Sequence, residues 1–90
     1  MAEWVTCVVN RAGPASDGTE TPTPVIYINL TDQAGSFANQ WFYTAPDARN
    51  EMLAVALSAI SLGKTVTTAL DPPNAGGSPY TQIYRLYIVA

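Results

Sequence analysis

The chain of 90 residues contains no histidine and a single cysteine, Cys7. Histidine is the commonest general base and metal ligand, and one cysteine cannot form a disulfide within the chain. A zinc site would need carboxylates alone, and the Asp and Glu residues show no ligand spacing. We therefore expect no catalytic residue, no metal and no cofactor, and a protein that is not an enzyme. Cys7 lies in an apolar run, which predicts a small residue of the core.

Charge is also scarce, since four Lys and Arg residues stand against seven Asp and Glu residues, for a net charge of −3. Nucleic acids and anionic membranes are bound mainly by clustered Lys and Arg, and the four cations here are scattered. We expect neither partner. Charged residues make up 12% of the chain, whereas soluble surfaces are typically about 25–35% charged. Two explanations stay open: a neutral surface rich in Thr, Ser and Asn, or burial of surface in a homo-oligomer.

Long apolar runs are absent as well, so we expect no insertion into a membrane. The first residues show neither the basic start nor the apolar run of a signal peptide. The localisation is left open between a cytoplasmic protein and a secreted one whose signal was replaced by Met1. The length and the apolar fraction of 48% predict one domain, residues 1–90, with a real core.

Five segments have the β-branched and aromatic composition typical of strands. They are residues 4–10, 25–30, 37–43, 64–70 and 80–89. In the second segment Ile26, Ile28 and Leu30 alternate onto one face. Residues 11–24 and 71–79 are rich in Pro and Gly, which predicts loops.

Residues 47–63 (DARNEMLAVALSAISLG) predict a single helix with no charge between Glu51 and Lys64. Thr44 or Asp47 is expected to cap its start, with Pro46 in the first turn, because these residue types are favoured there. Gly63 is expected to end the helix in the left-handed conformation.

The two sides of this helix differ in composition. The side expected to pack on the sheet carries Met52, Leu53, Ala56, Leu57 and Ile60. The opposite side carries Asn50, Ala54, Ser58 and Ser61, which are small and neutral. A solvated helix normally carries charges along its outer face, so we predict that these four residues form an oligomer interface.

The predicted order is therefore β-β-β-α-β-β, mainly β with one helix. A five-stranded OB-like barrel has this order, with its helix between the third and fourth strands. An open α+β sheet with the helix packed on one face has the same order and is the alternative.

The aromatic residues give the clearest indication of a ligand site. Trp41 and Phe42 are adjacent in the third strand and must point to opposite faces, and Tyr84 and Tyr87 have opposite parity in the fifth. Cross-strand packing and subunit contacts would explain such residues. The alternative is a surface on which a sugar ring or another flat ligand stacks. OB barrels bind ligands on strands two and three and at the loops after strands one and four. On that geometry we predict ligand-binding roles for Arg11, Tyr27, Trp41, Asp71 and Tyr80.

Residues 52–60 (MLAVALSAI), then Gly63-Lys64-x-Val66, then Ile83-x-Arg85-Leu86-Tyr87, make a pattern of apolar types and lengths within residues 37–90. The pattern resembles the second half of small bacterial B-subunit-like proteins, in particular the pentameric B subunits of AB5 toxins of the subtilase-cytotoxin and pertussis-like branch. The resemblance implies an OB barrel, a homo-oligomeric ring with a helix of each subunit at its centre, and a sugar ligand. Such subunits are secreted and usually hold an internal disulfide, which this chain cannot form. No motif of their sugar pocket is present, so no binding residue is carried over.

Two functions are compatible with these observations. The first is a non-catalytic oligomeric binding module with a carbohydrate ligand. The alternative is a structural or accessory protein whose apolar surfaces serve self-assembly or docking to a larger protein partner.

Overall fold

Five strands and one helix follow one another in the predicted order in the computed structural model, which describes residues 3–15, 25–45, 47–73, 77 and 80–89. The elements are β1 (Glu3–Ala15), β2 (Val25–Asp32), β3 (Gln40–Thr44), α1 (Arg49–Leu62), β4 (Thr65–Leu70) and β5 (Thr81–Ile88). The expectation for Pro46, and those for loop residues 16–24, 74–76 and 78–79, lie outside the described residues.

The strands close into a barrel in the order β1-β2-β3-β5-β4, with β4 pairing back onto β1. All pairs are antiparallel except β3 and β5, which run parallel over three residue pairs. The predicted OB-like barrel is therefore confirmed, and the alternative of an open sheet with a helix on one face is wrong. Closure removes the sheet edges that an open sheet of this size would expose.

Strand β1 is longer than the predicted 4–10, because residues 11–15 continue it where a loop is expected. Its first half pairs with β4 from Glu3 to Val8, and its second half pairs with β2 from Cys7 to Ala15. Gly13 and Pro14 have poor strand propensity, but pairing with β2 overrides that local preference. Strand β1 thus pairs with β4 along its first half and with β2 along its second half.

The core is formed by the inward side of every strand. The alternation predicted for β2 is confirmed, since Ile26, Ile28 and Leu30 are all buried in one apolar cluster. Phe42 from β3 is fully buried with them. The other strands contribute Cys7, Val9, Val66, Leu70, Ile83 and Leu86. Burial of these side chains is the main force that holds the barrel together.

Helix α1 ends as predicted and begins differently. Gly63 adopts φ 66°, its N–H donates to the Ile60 carbonyl at 3.3 Å, and the Lys64 N–H donates to the Ala59 carbonyl at 2.9 Å. These bonds satisfy the last carbonyls of the helix. The N-cap residue is Ala48, with no side-chain cap hydrogen bond. The predicted caps are therefore wrong: Thr44 is buried at the end of β3, and Asp47 precedes the cap.

The face of α1 that packs on the barrel is the predicted one at Met52, Leu53 and Ala56, but not at Leu57 and Ile60. The buried residues are Met52, Ala56 and Ala59, whereas Leu57 is 47% exposed and Ile60 is 42% exposed. Leu53 and Val55 pack partly against the core. Placing Leu57 and Ile60 against the barrel was wrong, because the two alanines allow the helix to lie close to the curved sheet. The helix therefore buries Met52 and two alanines and leaves the large apolar side chains of Leu57 and Ile60 exposed.

The thiol of Cys7 lies in the core, between Asp32 of β2 and Val66 of β4. Burial raises the pKa of Cys7 from 9.0 to about 12, and the charge of Asp32 adds to the rise. Because the pKa of the folded protein lies above that of the unfolded chain, folding favours the neutral thiol. This contribution to stability is complete below about pH 9 and is lost as the pH rises toward 12.

We expect Cys7 to resist a thiol reagent at neutral pH while the protein is folded, since only the thiolate reacts and the side chain is inaccessible. Labelling with Ellman's reagent, with and without denaturing urea, measures this. The unfolded chain should react within minutes, and the folded protein no faster than it unfolds. Equal rates in both conditions would contradict the buried position.

Two fully buried threonines make a matched pair. Within the described part of the chain, the Thr44 hydroxyl has no hydrogen-bond partner. The Thr68 hydroxyl donates to the Arg85 carbonyl at 2.7 Å. A buried polar group without a partner costs free energy, whereas a bonded one contributes about 1 kcal/mol.

We therefore expect Thr44→Val to raise the free energy of unfolding by about 1 kcal/mol and Thr68→Val to lower it by about the same amount. Urea denaturation of both variants beside the wild type measures the difference. Equal losses in the two variants would show that the Thr44 hydroxyl is bonded in solution.

Candidate functional site

The outer face of the barrel wall formed by β2 and β3 carries facing aromatic and polar side chains. Asn29 pairs directly with Trp41, and Tyr27 pairs with Tyr43. Because successive side chains of a strand point to opposite faces, Trp41 and Tyr43 lie outside while Phe42 between them fills the core. The prediction that Trp41 and Phe42 point to opposite faces of the sheet is confirmed.

A β-bulge in β1 brings Arg11 to this outer face. Val9 pairs with Leu30 in the core, and Arg11 pairs with Asn29, with the register shifting at the extra residue Asn10. Without the bulge Arg11 would share the inward parity of Val9. The guanidinium carbon of Arg11 instead lies 5.5 Å from the centroid of the Trp41 ring. That distance is within the range of a cation–π interaction.

Tyr27 connects Trp41 to the root of the loop that precedes β5. Its ring meets the Trp41 ring edge-on, with centroids 6.2 Å apart, and the Tyr80 ring at 5.8 Å. These contacts leave Tyr27 only 8% exposed. Arg11, Trp41, Tyr27 and Tyr80 therefore form one continuous set of contacts, which we call the aromatic row. It joins four of the five residues predicted to bind a ligand.

The fifth predicted residue, Asp71, is placed differently. Its N–H donates to the Gln82 carbonyl at 3.1 Å, and its carbonyl accepts the Thr81 hydroxyl at 2.8 Å. Its carboxylate accepts the Tyr84 hydroxyl at 2.7 Å, which raises the pKa of Tyr84. These bonds tie the end of β4 to the start of β5. Asp71 therefore anchors the base of the loop from which Tyr80 extends.

A polar network beside the aromatic row was not foreseen from the sequence. The Asn10 amide donates to the Asn29 side chain at 2.9 Å and to the Thr31 hydroxyl at 2.8 Å. The Asn29 amide donates to the Asn39 carbonyl at 3.1 Å, and Asn39 adopts a left-handed φ of 50°. Asparagine tolerates that conformation better than most residues. The network fixes the bulge of β1 and the β2–β3 connection on either side of Trp41.

A second aromatic pair lies on the outer face of β1, β4 and β5. The rings of Trp4 and Tyr87 are 6.1 Å apart and inclined by 14°. A bulge in β5 shifts its register opposite Ala69 and Leu70. Tyr84 and Tyr87 are in consequence both exposed, by 44% and 50%. The expectation that they point to opposite faces is wrong, because an extra residue reverses the alternation.

The four residues predicted as an oligomer interface lie on the side of α1 that faces away from the barrel. Asn50, Ala54, Ser58 and Ser61 are all exposed. The exposed Leu57 lies among them, at one helical turn from Ala54 and from Ser61. Between Glu51 and Lys64, the outward side of the helix is thus uncharged, and it is more apolar than the sequence pattern indicates.

The aromatic row presents the exposed Arg11 side chain and the partly exposed rings of Trp41 and Tyr80, which are groups suited to binding. Among the described residues, no three His, Cys, Asp or Glu side chains are grouped so that they could hold a metal ion. In the same part of the chain, no helix is both long and apolar enough to cross a bilayer. No protein-family model, curated protein or solved structure matches the chain. The resemblance to toxin B subunits therefore stays a prediction.

Proposed function

We propose that this protein is a non-catalytic binding module that takes a carbohydrate on the aromatic row. The observation that carries the proposal is the contact of Arg11, Trp41, Tyr27 and Tyr80 in one continuous set. They come from the second half of β1, from β2 and β3, and from the residue that precedes β5. OB barrels bind oligosaccharides and oligonucleotides on this wall.

The chemistry of the row favours a sugar over a nucleic acid. Aromatic rings stack on the apolar faces of a sugar, while amide and guanidinium groups can bond to its hydroxyls. Binding of a nucleic acid strand requires a positively charged groove. The aromatic row contains one cation, Arg11, in a chain of net charge −3. We therefore propose a neutral or weakly acidic glycan as the ligand and no nucleic acid partner.

The proposed module is also a homo-oligomer, with Asn50, Ala54, Ser58 and Ser61 as its interface. The support is the exposed apolar surface of Leu57 and Ile60, in the part of the helix between Glu51 and Lys64 that carries no charge. Exposed apolar patches of this kind are typical of protein–protein contacts. If the aromatic row binds no ligand, this helix surface favours the alternative, a structural protein that self-assembles or docks to a larger partner.

Trp41→Ala should weaken sugar binding, and Trp4→Ala should leave it unchanged. Loss of one stacking ring costs about 1–2 kcal/mol, roughly tenfold in affinity. A glycan array with the wild-type protein identifies the ligand, and titration of that glycan compares the two variants. The control is matched in residue type, because Trp4 is a tryptophan on the outer surface of the barrel but lies on the β1–β4–β5 face. No binding by folded wild-type protein, or equal losses in both variants, would contradict the proposal.

Ser58→Arg should weaken self-assembly without unfolding the protein, because it places a charge in an apolar contact from an exposed position. Light scattering and sedimentation at micromolar concentration measure the mass, and circular dichroism checks the fold. Gln33→Arg in the exposed turn after β2 is the control and should leave the mass unchanged. A wild-type protein that remains at 9.6 kDa would contradict the homo-oligomer.

A further inference from the structure

The wall that carries the aromatic row continues from β3 onto β5. Tyr43 pairs with Gln82 in the parallel β3–β5 ladder, and paired residues of a sheet point to the same face. Tyr84 has the same parity as Gln82, and Ile83 between them is fully buried. The exposed side chain of Tyr84 therefore lies on the outer face, beyond Tyr43.

A β-bulge fixes the position of Tyr84. Leu70 pairs with Ile83 and Ala69 pairs with Arg85, so Tyr84 is the extra residue of β5. A bulge re-aims a side chain and is common beside functional sites. The bulge in β1 has the same effect on the aromatic row, since it brings Arg11 to the outer face. Both irregular pairings of the barrel thus supply a side chain to this wall.

Tyr84 holds a carboxylate at this place. Its hydroxyl donates to the carboxylate of Asp71 at 2.7 Å. This bond raises the pKa of Tyr84, and burial, the charge of Asp71 and the nearby Tyr43 add to the rise. A carboxylate has about four acceptor sites and can accept sugar hydroxyls in addition to the phenol. The neighbouring cation, Arg85, donates instead to the Tyr87 hydroxyl at 3.3 Å.

The resulting surface is longer than one sugar ring. Because β3 and β5 run parallel, Trp41, Tyr43 and Tyr84 follow one another along the strand direction. Trp41 and Tyr43 are two residues apart, which is about 7 Å in a strand. Asp71 lies at the Tyr84 end, where its backbone is bonded to Thr81 and to the Gln82 carbonyl.

We propose that Tyr43, Tyr84 and Asp71 form a second sugar subsite beside the aromatic row, so that the ligand is an oligosaccharide of at least two rings. The inference rests on the carbohydrate function proposed above. One ring occupies the aromatic row at Trp41. The next ring lies on the two tyrosines and donates its hydroxyls to the Asp71 carboxylate.

The test compares Tyr84→Phe with Tyr87→Phe. Both changes keep the ring and remove an exposed, hydrogen-bonded hydroxyl from β5, but Tyr87 stacks on Trp4 on the β1–β4–β5 face. The probes are mono-, di- and trisaccharides of glucose, galactose, mannose, N-acetylglucosamine and glucuronic acid. They are screened on an array, and the series that binds is titrated by calorimetry.

The affinity of the wild type should rise about tenfold from one ring to two, because the second ring adds hydrogen bonds. In Tyr84→Phe the rise should be about threefold or less, and in Tyr87→Phe it should stay about tenfold. Asp71→Asn keeps the backbone bonds of Asp71 and should reduce the rise as Tyr84→Phe does. A bond that served stability alone would lower the urea midpoint without changing the preference for longer ligands.

Two results would overturn the second subsite and leave the proposed sugar function standing. One is a wild-type affinity that does not rise from one ring to two, and the other is the same rise in the wild type and in Tyr84→Phe. Folded wild-type protein that binds no sugar on the array overturns both proposals. Circular dichroism of each variant checks the fold.

Discussion

The double pairing of β1 is the constraint on which the rest of the structure depends. Its first half closes the barrel against β4, and its second half forms the wall with β2. A strand that pairs with both neighbours in this way must bend, and the bulge at Asn10 lies just beyond Val8, the last residue that pairs with β4. The same bulge turns Arg11 outward onto Trp41. Closure of the fold and assembly of the candidate site thus have a common origin in this strand.

Local patterns in the sequence were sufficient for the order of elements and for much of the core. The alternation of Ile26, Ile28 and Leu30 and the terminal Gly63 depend on backbone geometry that neighbouring residues determine. The bulges at Asn10 and in β5 depend on pairing with distant strands. A local pattern does not contain that information, so the length of β1 and the shared exposure of Tyr84 and Tyr87 were missed.

The sequence was sufficient to predict most residues of the candidate site, but not the hydrogen bonds that hold them in place. Arg11, Tyr27, Trp41 and Tyr80 followed from the known ligand face of the barrel class once the strands were placed. The role of Asp71 as an anchor rather than a member of the row follows from its bonds to β5. The Asn10–Asn29–Asn39 network depends on a bulge and a left-handed residue, and neither has a reliable signal in a single sequence.

The orientation of α1 fits its packing on the barrel but leaves large apolar side chains exposed. Packing on a curved barrel favours the small Ala56 and Ala59, and this leaves Leu57 and Ile60 in contact with water. Their burial by a second copy would recover the free energy of about 25 cal/mol for each Å² of apolar surface removed from water. The aromatic row lies on β1, β2, β3 and the residue before β5, with no residue from α1. Self-assembly through the outward side of α1 would therefore use no residue of the row, and linked sites bind a multivalent glycan more tightly than one site alone.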